Sequence, residues 1–164
     1  MIHTIVGKRG RGKTSLVAEL MTTLRYDRIF VYDYCGEFAQ FAIEDYIVVE
    51  PNASAFSRFM VQSWEDAQAV SSSLLILDEI AVYGKDNPQI DHAYRLSRHV
   101  GMDIIGISQR FFSLPVITRS QTDVFHVFQI TELRDLQYLR GVIGDQAAEK
   151  IRGLGFFQYI NLQL

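Results

Sequence analysis

Short apolar runs, rich in β-branched and aromatic residues, recur at 2–6, 28–34, 46–50, 74–77, 103–107, 123–130 and 156–161. Most lack the strict alternation of a strand with one wet face, so they read as strands buried on both faces of a mainly parallel sheet. Between them, segments 13–25, 53–59, 64–71, 90–100, 132–141 and 146–152 have the composition of helices. In the fourth of these, Ile90, Ala93, Leu96 and Val100 recur at helical spacing and form the expected core stripe. Strands and helices in near-regular alternation predict an α/β domain, a doubly wound sheet with helices on both faces. No repeat, low-complexity tract or linker interrupts residues 1–164, which read as one domain with a core of ordinary size. The loop 83–89 carries the main breaker signal, with Gly84 and Asn87-Pro88.

The first predicted strand runs into Gly7-Lys8-Arg9-Gly10-Arg11-Gly12-Lys13-Thr14, with Ser15 opening the first helix. This is a complete G-x-x-x-x-G-K-[ST] loop at a strand-to-helix junction, the context that such a loop requires. The glycines let backbone N–H groups converge on phosphates, and the helix N-terminus adds partial positive charge. Lys13 is placed to reach the β- and γ-phosphates, and Thr14 to offer a hydroxyl to Mg²⁺. A nucleoside triphosphate, with Mg²⁺, is the expected ligand.

A second motif is Leu74-Leu75-Ile76-Leu77-Asp78-Glu79. Four apolar residues followed by two acids describe a central strand delivering carboxylates to the edge where α/β sheets bind ligands. Asp78 would hold Mg²⁺ and Glu79 would polarise an attacking water, which marks a hydrolase; two solvated acids at a strand end are the plainer alternative. Further on, Ile104-Ile105-Gly106-Ile107 ends in Ser108-Gln109-Arg110. Gln109 at such a position can sense a γ-phosphate and orient water, or Ser108 and Gln109 can simply cap the next helix. Beside the core stripe of 90–100, Arg95 sits four residues after Asp91 and is expected to pair with it. Arg98 lacks such a partner in sequence. It is either a finger reaching a neighbour's nucleotide or, with His99, a complement to the helix C-terminal dipole.

Composition narrows the reading in a few places. Sixteen basic against 19 acidic residues do not make a surface coated for nucleic acid, although a local patch or a ring of subunits stays open. No run approaches the ~20 apolar residues of a membrane-spanning helix, and neither a signal nor a transit peptide is expected before the first strand. The single Cys35 excludes an internal disulfide, and His3, His92, His99 and His126 lack metal-ligand spacing. Most aromatic residues lie in strand-like runs and read as core. The pair Phe111-Phe112 is expected at a subunit interface, since two exposed phenylalanines on a monomer are a liability.

Taken in order, the loop at 7–15, Tyr32-Asp33-Tyr34-Cys35-Gly36-Glu37-Phe38, the acidic strand end 74–79, and the stretch from Arg98-His99-Val100-Gly101 to Ser108-Gln109-Arg110 resemble the FtsK–HerA superfamily of DNA-pumping ATPases, close to its viral genome-packaging branch. The similarity continues weakly through 125–131 and 153–160. Tyr34 and Cys35 stand where that family has Pro and His, which leaves the role of Glu37 open. The resemblance implies a RecA-like P-loop ATPase core, a mainly parallel sheet with helices on both faces, using ATP and Mg²⁺. It further implies a homo-oligomeric ring, hexameric by family habit, with Arg98 acting in trans and double-stranded DNA in a central channel. The docking partner would be a viral procapsid or capsid vertex, and the location the host cytoplasm, with virion association open. Lys85 and Arg119 are candidate phosphate contacts, with ordinary surface charge as the alternative. A motor for conjugation, secretion or phage extrusion would share this chemistry; a small P-loop kinase would not need Glu79.

Overall fold

The computed structural model describes residues 1–41, 46–47 and 52–163. The chain runs β1 (Ile2–Val6), α1 (Lys13–Thr23), β2 (Arg28–Tyr32), β3 (Tyr46–Ile47), α2 (Ala53–Ala67), β4 (Ser73–Leu77), a 3₁₀ turn (Ile80–Tyr83) and α3 (Pro88–Leu96). A second 3₁₀ turn (Ser97–Val100) leads to β5 (Met102–Ser108), α4 (Val116–Gln121), β6 (Val124–Phe128), α5 (Leu133–Ile143), α6 (Asp145–Arg152) and β7 (Tyr159–Leu162). The sheet has the order β3-β2-β4-β5-β1-β6-β7 and is parallel except for the antiparallel β6–β7 pair. Of the predicted span 46–50, residues 48–50 lie outside the described residues.

Parity along the strands divides the core. Leu74 and Ile76 pack with Leu16 and Val17 of α1 on one face, while Leu75 and Leu77 pack with α2 and α3 on the other. Helices therefore cover both faces, as expected, but unevenly: among the buried helix residues only those of α1 serve the first face. Local chemistry starts the helices. Asn52 accepts the N–H of Ala55 at 2.8 Å ahead of α2. Asn87 caps α3, with Pro88 at its first position.

Several expectations are corrected. Segments 53–59 and 64–71 join into the single helix α2, because nothing between them breaks a helix. In α3 the buried stripe is Ile90, Ala93 and Tyr94, continued by Ser97, while Leu96 is exposed. Leu96 lies six residues after Ile90, about 240° round an α-helix, so the helical period itself turns it off the core side. Phe111 is not at a surface: it is fully buried, with its ring 5.1 Å from that of Phe125 and 5.5 Å from that of Tyr138. Phe112 is half-buried, its ring 4.1 Å from the Arg134 guanidinium carbon. Phe156 and Phe157 are not strand residues; they lie exposed in the turn before β7.

Candidate nucleotide site

Parallel strands put the carboxyl ends of β1, β2, β4 and β5 on one edge, and the phosphate loop, the turn with Glu37, the acidic pair and Gln109 each follow one of those ends. The loop after β1 hangs between the neighbouring strands: the Gly7 N–H donates to the Ser108 carbonyl at 3.2 Å and the Lys8 N–H to that of Gln129 at 3.0 Å. Gly12 ends the loop with φ 101° as the N-cap of α1. A Cβ at that position would also lie 2.5 Å from Cδ1 of Phe157, so both backbone and space require glycine.

Arg9, Gly10, Gly12, Lys13, Thr14 and Ser15 line a cavity of about 440 Å³, faced by Asp78, Glu79 and Gln109. The predicted loop, acids and glutamine are thus brought together; Gly7, Lys8 and Arg11 support the loop from outside the cavity lining. Lys13 Nζ folds back to the Lys8 carbonyl at 3.3 Å. Burial lowers the Lys13 pKa, opposed by the nearby Glu79, Glu37 and Asp78 carboxylates. A phosphate chain would replace the carbonyl as its partner and favour the charged form.

Asp78 is buried at the end of β4 and accepts the Cys35 N–H at 3.0 Å. Burial pushes its pKa up to about 6, against that hydrogen bond. Glu79 follows with φ 47° and ψ 48°, a left-handed conformation that a side chain with a Cβ rarely adopts. Its Oε1 accepts from Gln109 Nε2 at 2.6 Å, joining the ends of β4 and β5. Neither Ser108 nor Gln109 caps the next helix: Ser108 Oγ accepts the Arg110 N–H at 3.2 Å, and α4 begins only at Val116. The Phe112 N–H donates to the buried Asp135 at 2.7 Å, which pins the loop after Gln109.

Thr14 Oγ1 donates to Glu37 Oε2 at 2.6 Å. Glu37 is carried there by Asp33, whose carboxylate accepts the N–H groups of Glu37 and Phe38 at 3.0 and 2.9 Å. The turn that Tyr34 and Cys35 leave ambiguous in sequence thus presents Glu37 to the Thr14 hydroxyl. The donor set of Thr14, Asp78 and adjacent carboxylates suits a hard divalent cation with oxygen ligands. The raised Asp78 pKa fits it too, because a cation there would reverse the penalty of burial.

Arg98 sits elsewhere. The turn Ser97–Val100 precedes β5, so Arg98 lies at the opposite, amino edge of the sheet. It is not unpartnered: its guanidinium donates to Asp123 at 2.8 Å, while Asp123 also accepts the Ile2 N–H at 2.7 Å. Arg95 pairs with Asp91 at 2.9 Å, as its spacing predicts. Lys85 and Arg119 rest their charges 5.2 Å from the Phe112 ring centroid and 5.1 Å from that of Tyr138.

Sequence reasoning missed Phe157. It lines the cavity beside Gly12, its N–H donates to the Arg11 carbonyl at 3.1 Å, and Arg11 lies 4.4 Å above the neighbouring Phe156 ring. Two aromatics beside Gly155 mark the turn as unusual, but nothing in the sequence places it beside Gly12.

The sheet and its phosphate loop define a P-loop NTPase fold. The solved structures that share it include the genome packaging NTPase B204 from Sulfolobus turreted icosahedral virus 2 in complex with ATPγS. That match has a TM-score of 0.83 at 22% identity, covering 99% of this chain and 91% of that one. ATPases 2 and 3 of EssC from Geobacillus thermodenitrificans match with a TM-score of 0.63 at 17% identity, over 87% of this chain and 34% of that one. The N-terminal domain of zonular occludens toxin from Neisseria meningitidis matches with a TM-score of 0.52 at 17% identity, over 81% and 78% of the two chains. No protein-family model and no curated protein sequence matches the chain. Among the described residues, no helix is long and apolar enough to cross a membrane.

Proposed function

We propose that this chain is an ATP-hydrolysing motor of the FtsK–HerA type that drives double-stranded DNA, in the role of a viral genome-packaging ATPase. The observation that carries hydrolysis is the Glu79–Gln109 hydrogen bond across the mouths of β4 and β5, in the cavity that Lys13 and Thr14 also line. A site that only binds nucleotide has no need of a carboxylate held in a strained backbone beside the phosphate loop. The resemblance of the ordered motifs to the packaging branch, together with the fold match to B204, supports the choice of cargo.

In this reading the loop N–H groups and Lys13 hold the phosphates of ATP. Thr14 and Asp78 would hold Mg²⁺, which would supply charge neutralisation of the phosphates. Glu79 accepts the proton of the attacking water, and Gln109 fixes the orientation of Glu79. Glu37 holds the Thr14 hydroxyl, which a bound cation would otherwise take. Arg98 acts on a neighbour's nucleotide in a homo-oligomeric ring, a hexamer by analogy, in which the amino edge of one sheet faces the loop edge of the next. DNA passes through the channel of that ring, docked at a procapsid vertex in the host cytoplasm or on the virion. Phosphate contacts from Lys85 and Arg119 would be sequence-independent.

Steady-state hydrolysis with Mg²⁺, with and without long duplex DNA, tests this. Hydrolysis that rises with DNA and is lost in Lys13→Ala and Glu79→Gln is the expected result. A normal rate in Glu79→Gln sinks the base assignment. Hydrolysis indifferent to DNA favours a motor for another cargo, in conjugation, secretion or phage extrusion.

A further inference from the structure

The turn between α6 and β7 holds two phenylalanines in water. Phe156 is 69% and Phe157 68% exposed, and no folding benefit follows from that. Phe157 also carries φ 57°, one of two non-glycine residues with positive φ among the described residues, the other being Glu79 of the site. Strain of this kind persists only where the surroundings enforce it. Here they do: the Phe157 N–H is tied to the Arg11 carbonyl at 3.1 Å, and Gln158 closes the turn by accepting the Gly155 N–H at 2.8 Å. The ring is thereby fixed against Gly12, on the wall of the cavity that Lys13 lines.

Strand order gives this wall a direction. The phosphate loop follows β1. Glu79 and Gln109 follow β4 and β5 on one side of it, whereas the Phe157 turn leads into β7 on the other, beyond β6. A nucleotide whose terminal phosphate lies toward Glu79 and Gln109 has its base at the Phe157 side.

We propose that Phe157 is the platform on which the nucleobase stacks, with Phe156 and Arg11 bracing it. This rests on the nucleotide reading of the loop and adds the base subsite. Stacking uses the π-face that every base has, so the platform favours nucleotides over bare phosphates without choosing adenine over guanine.

Calorimetric titration of the full chain with ATP, GTP and inorganic tripolyphosphate tests it, using the wild type, Phe157→Ala and Phe157→Trp. In Phe157→Ala, ATP and GTP affinity should fall together by about five- to hundredfold, the span that base–aromatic stacking corresponds to. Tripolyphosphate, which has no base, should bind as in the wild type, and Phe157→Trp should keep ATP affinity. Equal losses for all three ligands would mean that the turn only shapes the phosphate loop, and no loss for any would remove the platform; either overturns the proposal while the nucleotide site stands. A wild type that binds none of the three removes the nucleotide reading and this subsite with it. If light scattering shows Phe157→Ala losing its oligomeric state with ATP affinity intact, the turn serves a second copy of the chain and the proposal is wrong.

Discussion

Glu79 offers a direct test of whether the site stores backbone strain. Its φ of 47° and ψ of 48° place a Cβ where it crowds the following carbonyl. Replacing Glu79 by Ala removes the carboxylate and the Gln109 hydrogen bond but keeps the Cβ. Replacing it by Gly removes the carboxylate, the hydrogen bond and the Cβ as well. The lost hydrogen bond is common to both variants, so their difference isolates the conformational term. Left-handed geometry costs a residue with a Cβ roughly 1–2 kcal/mol. Glycine gives back about 0.5–1 kcal/mol through the greater freedom of its unfolded chain. The Gly variant should therefore be the more stable by up to about 1.5 kcal/mol, with the middle of the range at about 0.75 kcal/mol.

In an ordinary helix or strand the sign is the opposite, with Ala ahead of Gly. Urea unfolding of the two variants reads the difference directly, and a domain of this size should show it as about 2–4 °C in Tm per kcal/mol. Both variants should be inactive in hydrolysis, so stability and activity separate. A Gly variant that is less stable than the Ala variant would refute the strain and, with it, the idea that the fold over-determines Glu79 for chemistry.

Other outcomes follow from the same geometry. Phe111→Ala should cost about 3–5 kcal/mol in unfolding experiments, as for a large core aromatic, whereas Phe112→Ala should cost about 1 kcal/mol, mainly its contact with Arg134. Arg98→Ala should change stability by no more than about 1 kcal/mol, because its ion pair with Asp123 is solvent-exposed on the arginine side. A loss of hydrolysis of roughly 10³-fold in that variant, partly restored by mixing with Lys13→Ala subunits, would then report action in trans. His3 and His126 form a buried pair at 2.9 Å, and burial lowers the pKa of both. On acidification the unfolded chain takes up protons near pH ~6.5 before the folded one does. Their contribution to stability is therefore complete above that pH and falls below it, by up to about 1.4 kcal/mol per unit for each ring. Ring resonances followed by NMR should titrate below 6.5, and midpoints at or above it would remove the effect.

The four interior parallel strands are legible in the sequence because burial on both faces writes an unbroken apolar run, and β1, β4 and β5 are found within a residue of their ends. The antiparallel partner β7 is less so. Its Tyr159-Ile160-Asn161-Leu162 alternates more and less exposed positions, the mark of an edge strand, and the apolar pair before it draws the predicted start three residues early. Helix α4 escapes because Val116-Ile117-Thr118 are β-branched and weak in helix propensity; Pro115 and tertiary packing of Ile117 place it. Phe111 is misjudged because adjacency to Phe112 says nothing about which way each ring turns once Asp135 fixes the loop.

The same distinction separates what was readable in the site from what was not. The phosphate and water contacts proposed for the site demand particular residue types at a fixed backbone spacing, so Lys13, Thr14, Asp78 and Glu79 stand out in sequence. Partnerships between loops do not. Glu37 reaches Thr14 only because Asp33 bends the turn after β2, and Arg98 meets Asp123 only because β5 and β6 flank β1. Stacking asks merely for an aromatic surface in the right place, with no spacing to betray it. Phe157 could be found only once the sheet order had put the turn before β7 beside Gly12, at the end of the cavity away from the acids.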